Sequence, residues 1–135
     1  MIGVSFLILA MQAAVAPPAL PLILPTDWSV LPPLTYRQPP TVTPAMDGFV
    51  ANEIAANRCS IARPTDGHYT VRLDIAVLVG EDDHVRQAVP RAIQCPTVEQ
   101  YGAGLVMGFA RNNLPPRIGR GDKWFQTTII FDWQG

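Results

Sequence analysis

The sequence has little of what most catalytic machinery is built from. Serine occurs only at Ser5, Ser29 and Ser60, and Ser60 lies in no strand–turn–helix context that would make a nucleophile elbow. The only histidines are His68 and His84, and the only cysteines, Cys59 and Cys95, do not form a Cys-x-x-Cys pair. The net charge is −1. That argues against a polyanion binder, because nothing would supply a strong counterion-release term. A length of 135 residues suits one domain and excludes a multidomain enzyme or a polytopic membrane protein.

Charge is missing from the first third. Between Met1 and Met46 only Asp27 and Arg37 are charged, whereas nine of the 14 prolines fall between Pro17 and Pro44. The chain therefore divides into an uncharged head (1–16), a Pro-rich neck (17–44) and a body (45–135). No apolar run reaches full membrane-spanning length either. Ile2 to Ala16 is 15 residues long before Pro17-Pro18 stops it, against about 20 for a spanning helix. This length, with the small-x-small sequence Ala14-Val15-Ala16, fits a cleaved signal peptide. Two alternatives stay open. No Lys or Arg precedes the run, and a continuation through Leu20, Leu22, Ile23 and Leu24 would make an uncleaved anchor. The run would also serve as a buried helix of the body. The neck reads as an extended, semi-stiff linker rising about 3.1 Å per residue, with Trp28, Leu31, Leu34 and Tyr36 free to dock.

The body carries alternating signals. Thr43 is a candidate N-cap and Pro44 a first helical residue, followed by Met46, Phe49, Val50, Ile54 and Asn57 on one helical face. From Tyr69 to Val79 the chain alternates strictly, with Tyr69, Val71, Leu73, Ile75, Val77 and Val79 on one side of a strand. The turn Gly80-Glu81-Asp82-Asp83-His84 leads to a second strand, with Val85, Val89 and Ile93 in phase. Pro90 marks that strand as an edge or as one that carries a bulge. Thr97-Val98-Glu99-Gln100 reads as a capping box for a helix running to Asn112-Asn113, with Val98, Tyr101, Leu105, Phe109 and Asn112 on its apolar face. A last strand, Lys123 to Trp133, puts Phe125, Thr127, Ile129, Phe131 and Trp133 on one side. The expected fold is α+β, of element order α-β-β-α-β. It has a three-stranded antiparallel sheet in the order second–first–third and two helices on one face.

These elements resemble the TonB C-terminal domain family. The likeness rests on the strand Tyr69–Val79, the acidic turn Glu81-Asp82-Asp83 leading into Val85, and the helix Thr97–Asn113. It extends to the Leu114-Pro115-Pro116 exit, where Leu114-x-Pro116 is similar to the family's Phe-x-Pro, and to the aromatic-ended last strand. The resemblance implies a non-enzymatic periplasmic module, exported or anchored in the inner membrane and facing the periplasm. It needs no cofactor and binds an envelope protein or peptide, or a second copy of itself, by adding a strand to the sheet edge. Nucleic acid is not an expected partner, and a membrane is one only if the N-terminus stays uncleaved. A second reading is an energy transducer for outer-membrane transport, which needs the anchor.

Several clusters invite other chemistry. An even cysteine count in an exported chain reads as a Cys59–Cys95 disulfide. The competing reading is a thiol-redox protein using Cys95, two residues before a helix start. Glu81-Asp82-Asp83-His84 splays outward as consecutive turn residues do and makes no metal site. Gly102, Gly104 and Gly108 lie within a helix, and Gly104 and Gly108 are expected at a close packing contact, on the sheet or on another copy of the helix. Arg111, Arg117, Arg120 and Lys123 form a loose basic cluster. The expected binding site is the edge strand, at Gln126, Thr127, Thr128, Ile129, Ile130 and Phe131, which carries neither charge nor proline. The alternative is that the neck, through Trp28 to Tyr36, folds back and caps that edge.

Overall fold

A computed structural model describes residue 3 and residues 22–56, 58–119 and 121–135. The head, with its signal-peptide and anchor readings, lies outside these residues apart from Gly3. So do the first residues of the neck, Asn57 and Arg120. The body is α+β, and its elements are α1 (Pro44–Ala55), β1 (His68–Val79), β2 (Val85–Pro90), α2 (Pro96–Ala110) and β3 (Lys123–Gln134). The strands form one antiparallel sheet in the order β2-β1-β3, the topology that the alternation predicts.

Burial follows the period of two. Val71, Leu73, Ile75, Val77 and Val79 of β1 join Ile129 and Phe131 of β3 on one face, against Val50 of α1 and Val98 and Val106 of α2. Fully burying an aliphatic side chain of this kind contributes about 1.5–3 kcal/mol. Both helices thus pack on this helix face. The glycine on which the contact depends is Gly102: a Cβ there would overlap Leu73 Cδ2, whereas Gly104 and Gly108 have nothing within 4 Å of theirs. The close approach to the sheet is made at Gly102 and not at Gly104 or Gly108, because Gly102 lies on the helical face of Val98 and Val106.

Three local readings are corrected. The β1–β2 register slips between Leu78 and Val79, so that Leu78 faces Gln87 while Val79 faces Val85. This extra residue sends Val85 to the helix face and Val89 to the outer face, and splits the in-phase set Val85, Val89, Ile93. Next, α2 begins at Pro96 with Cys95 as N-cap and no side-chain cap bond. Thr97 is already helical, and Glu99 does the capping from inside, its Oε2 accepting from Ile93 N–H at 3.2 Å and Cys95 N–H at 3.0 Å. Finally, α2 stops at Ala110, and Asn112 takes the left-handed conformation at φ 53°. In α1 the reading holds: Thr43 Oγ1 accepts from Met46 N–H at 3.3 Å.

A second, smaller cluster covers the opposite, outer face. Leu31, Ala76 and Trp124 are buried there, with Leu24, Trp28, Leu78 and Val89 packed around them. Leu24, Trp28 and Leu31 belong to the neck, so the described part of the neck lies against the body as part of the fold. It crosses the outer face, passes round the edge of β3, and reaches the helix face, where Leu34 and Val42 join the main core.

Candidate functional site

Strands in an antiparallel ladder present main-chain groups alternately to their two neighbours, so one row of β3 must point away from β1. Gln126 identifies that row. Its N–H donates to Pro32 O at 2.9 Å and its carbonyl accepts from Leu34 N–H at 2.7 Å, which makes a parallel bridge between Pro33 and Gln126. By alternation Trp124, Thr128, Ile130 and Asp132 also turn their main-chain groups outward. At Asp132 the N–H is taken by Asp47 Oδ1 of α1, 3.0 Å away.

The six residues expected to bind a partner therefore separate into three groups. Thr127, Ile129 and Phe131 bond inward to β1, and Ile129 and Phe131 are buried in the main core. The neck takes Gln126. Thr128 and Ile130 keep outward N–H and C=O groups with no partner among the described residues, and the Ile130 side chain is 50% exposed.

The strap is fastened at several points. Gln126 Nε2 donates to Leu31 O at 2.7 Å, and Trp124 Nε1 donates to Leu22 O at 3.2 Å. Trp28 lies under the Arg91 guanidinium, 4.0 Å from its ring centre. Its turn is opened by Asp27, whose Oδ1 accepts from Ser29 N–H at 2.9 Å and from the Ser29 hydroxyl at 2.6 Å. Those two bonds, the hydroxyl's first, hold the Asp27 carboxyl below the usual carboxylate value. Past the edge, burial pushes the Tyr36 phenol up, partly offset by its hydrogen bond with Thr127. Beyond that, Gln38 N–H donates to Asn113 Oδ1 and Asn113 Nδ2 donates to Gln38 O, both at 2.9 Å.

Beyond the strap the outer face is open and polar. Asp74 Oδ1 accepts from the Thr128 hydroxyl at 2.7 Å and from Arg72 Nε at 3.2 Å. Asp132 accepts from the Thr70 hydroxyl at 3.2 Å and pairs with His68 Nε2 at 2.9 Å. A strand added at Thr128 and Ile130 would run beside these groups.

The other candidate clusters disperse. Cys59 and Cys95 are disulfide-bonded, with Cys95 fully buried, so the bridge ties the segment after α1 to the start of α2. Arg117 is drawn inward: Nη2 donates to Gly80 O at 2.7 Å and to Gly121 O at 2.9 Å, and Nε to Asp83 Oδ1 at 3.2 Å. It fastens the β1–β2 turn to the loop before β3, while Arg111 is exposed and Lys123 lies over the Phe125 ring. Among the described residues no three His, Cys, Asp or Glu side chains are grouped to hold a metal ion. Nor is any helix there long and apolar enough to cross a membrane. A cleft between Leu34, Leu114, Pro116 and Phe125 has a volume of ≈ 160 Å³, and a larger, more polar one of ≈ 430 Å³ lies between Ile54, Cys59, Tyr69 and Trp133.

Sequence reasoning missed Asp47 and Trp124 as parts of this site. A signal for Trp124 was present: Ala76, Leu78 and Trp124 share the face opposite the helices and need a cover. Asp47 offered no comparable signal. Comparison with protein-family models, with curated proteins and with solved structures finds no match for this chain.

Proposed function

We propose that the chain is an exported, non-enzymatic interaction module of the TonB C-terminal kind, which accepts an extended peptide of an envelope partner on the β3 edge at Thr128 and Ile130. The observation that carries this reading is the pair of unpartnered outward main-chain positions beside the exposed Ile130. Main-chain groups in such a row give affinity to an added strand, and alternate side chains give it specificity. The neighbouring edge is guarded, by the neck at Gln126 and by Asp47 at Asp132. Unpaired edges are usually blunted in this way, which makes the gap between them the feature to explain. The Cys59–Cys95 bond supports export, since such bonds persist in oxidising compartments.

The test starts from peptides selected from a random displayed library against the full-length protein. Amide exchange is then measured with the tightest peptide bound. Thr128 and Ile130 are expected to become slow. Thr128→Pro removes the outward N–H, and with it the hydroxyl that donates to Asp74, but takes no donor from the ladder to β1; the peptide is expected to bind at least tenfold more weakly. Protection confined to the outer row of β2, or unchanged binding by Thr128→Pro, would overturn the reading.

A further inference from the structure

The neck occupies a groove shaped for an extended segment. The floor is Ala76, fully buried, and Trp124, 6% exposed; Leu78 and Val89 wall it. Leu31 sits in it, 8% exposed. Three residues earlier Trp28 lies beneath Arg91. On the neck side the polar contacts at Gln126 use only main-chain atoms: Leu31 O, Pro32 O and Leu34 N–H. Pro32 and Pro33 have no N–H to leave unpaired there, and they hold the segment extended before it docks. None of these contacts depends on the neck's being joined to this body. Each is available to a separate peptide of the same pattern.

The neck also limits the edge. While it is seated, the outward positions left free between Gln126 and Asp132 are Thr128 and Ile130. Without it, the outward row runs from Trp124 through Gln126 and Thr128 to Ile130. That span admits an ordinary strand of about five to six residues.

We propose that this groove is a docking site for an extended, proline-containing peptide that runs parallel to β3 and carries an aromatic residue three positions before a leucine, and that the neck is its tethered occupant. The proposal rests on the reading of β3 as a strand-accepting edge, and it gives that edge its partner chemistry. A tethered segment competes at an effective concentration of about millimolar, so a partner enters the groove fully only as the neck leaves.

The probe is a fluorescent synthetic peptide of residues 22–38, titrated into full-length protein and into two full-length variants. Leu31→Asp removes the apolar anchor. The double variant Pro32→Gly, Pro33→Gly loosens the neck and leaves the body's side chains untouched. Both variants are expected to exchange the Gln126 amide at least tenfold faster than the parent. Both should bind the peptide at least tenfold more tightly, with Gln126 slowed again by binding. If Leu31→Asp also speeds exchange at Leu73, the body has been disturbed, and the double variant decides. Equal binding to all three proteins, no binding to either variant, or a Gln126 amide that stays slow in the double variant would overturn the proposal. If the neck peptide fails while a library-selected peptide still protects Thr128 and Ile130, this inference falls and the edge reading stands. Failure of both peptides removes both.

Discussion

Asp47, in the first turn of α1, accepts a hydrogen bond from the Asp132 N–H of β3 at 3.0 Å. The bond fastens the first helix to the outward row of the last strand and closes one end of the free edge. The carboxylate also sits where the positive end of the helix favours it. Asp47→Ala is expected to lower stability by about 1–2 kcal/mol, read by urea unfolding, and to speed exchange of the Asp132 amide. Asp47→Asn keeps an acceptor and should lose less. An Asp132 amide unaffected by Asp47→Ala would show that this end of the edge is closed by something else.

The Cys59–Cys95 bond spans 36 positions and joins the chain after α1 to the residue that N-caps α2. Closing a loop of that size contributes about 3–4 kcal/mol in the chain-entropy model. Cys59→Ala should lower stability by about this amount, and non-reducing peptide mapping of the parent should recover one linked pair. Ready alkylation of both thiols without reductant would count against the bond and favour chemistry at Cys95.

The strand pattern, the sheet order and the side on which the helices lie were legible because a period of two and a capped helical face are local signals. A bulge was legible only as one of two readings of Pro90, and its position at Leu78/Val79 was not. It depends on how the turn closes, and Val85 and Val89 look in phase until one extra residue divides them. At α2 two capping patterns overlap in Pro96-Thr97-Val98-Glu99-Gln100, and Pro96 decided in favour of the earlier start. The edge itself was half legible. Alternation showed that β3 would have one free row, but not which residues made it. Only Gln126, held by the neck, fixes the parity and assigns Thr128 and Ile130. The neck's return was one of two readings left open. Its composition is that of a linker, and the apolar residues that seat it, Leu24, Trp28, Leu31, Leu34 and Val42, are spread among prolines and follow neither a helical face nor a strand alternation.

The glycines of α2 give a prediction with opposite signs. Gly102→Ala puts a methyl into the end of the Leu73 side chain, which is fully buried and has to shift within the packed core. Overpacking of this kind costs about 1–3 kcal/mol and outweighs the gain in helix propensity. Gly104→Ala meets nothing within 4 Å and should stabilise by up to about 1 kcal/mol. Both are read from thermal or urea unfolding. Equal effects at the two sites would show that the helix is not seated on Leu73.

His68 supplies the pH dependence. Its Nε2 pairs with Asp132 Oδ1 at 2.9 Å, and its Nδ1 lies 3.4 Å from Gln134 Oε1. The hydrogen bond to Asp132, then that to Gln134, then the Asp132 charge raise the imidazole above its ordinary value of 6.5. A group whose pKa is raised on folding stabilises the fold in its protonated form. The contribution is therefore complete below the unfolded value and fades as pH rises through the folded one. Parent and His68→Ala should differ most in stability at the acid side of about pH 5–8 and converge at the alkaline side. The pair is solvent-exposed, so added salt should shrink the difference. Proton NMR of the His68 ring should titrate above 6.5 in the parent, and lower in Asp132→Asn. A midpoint at or below the ordinary value, or a stability difference that grows with rising pH, would show that Asp132 does not hold the ring. Because Asp132 also carries the N–H bonded by Asp47, the same titration tests whether the end of the edge feels the charge on His68. If it does, exchange of the Asp132 amide should change over the pH range in which His68 loses its proton.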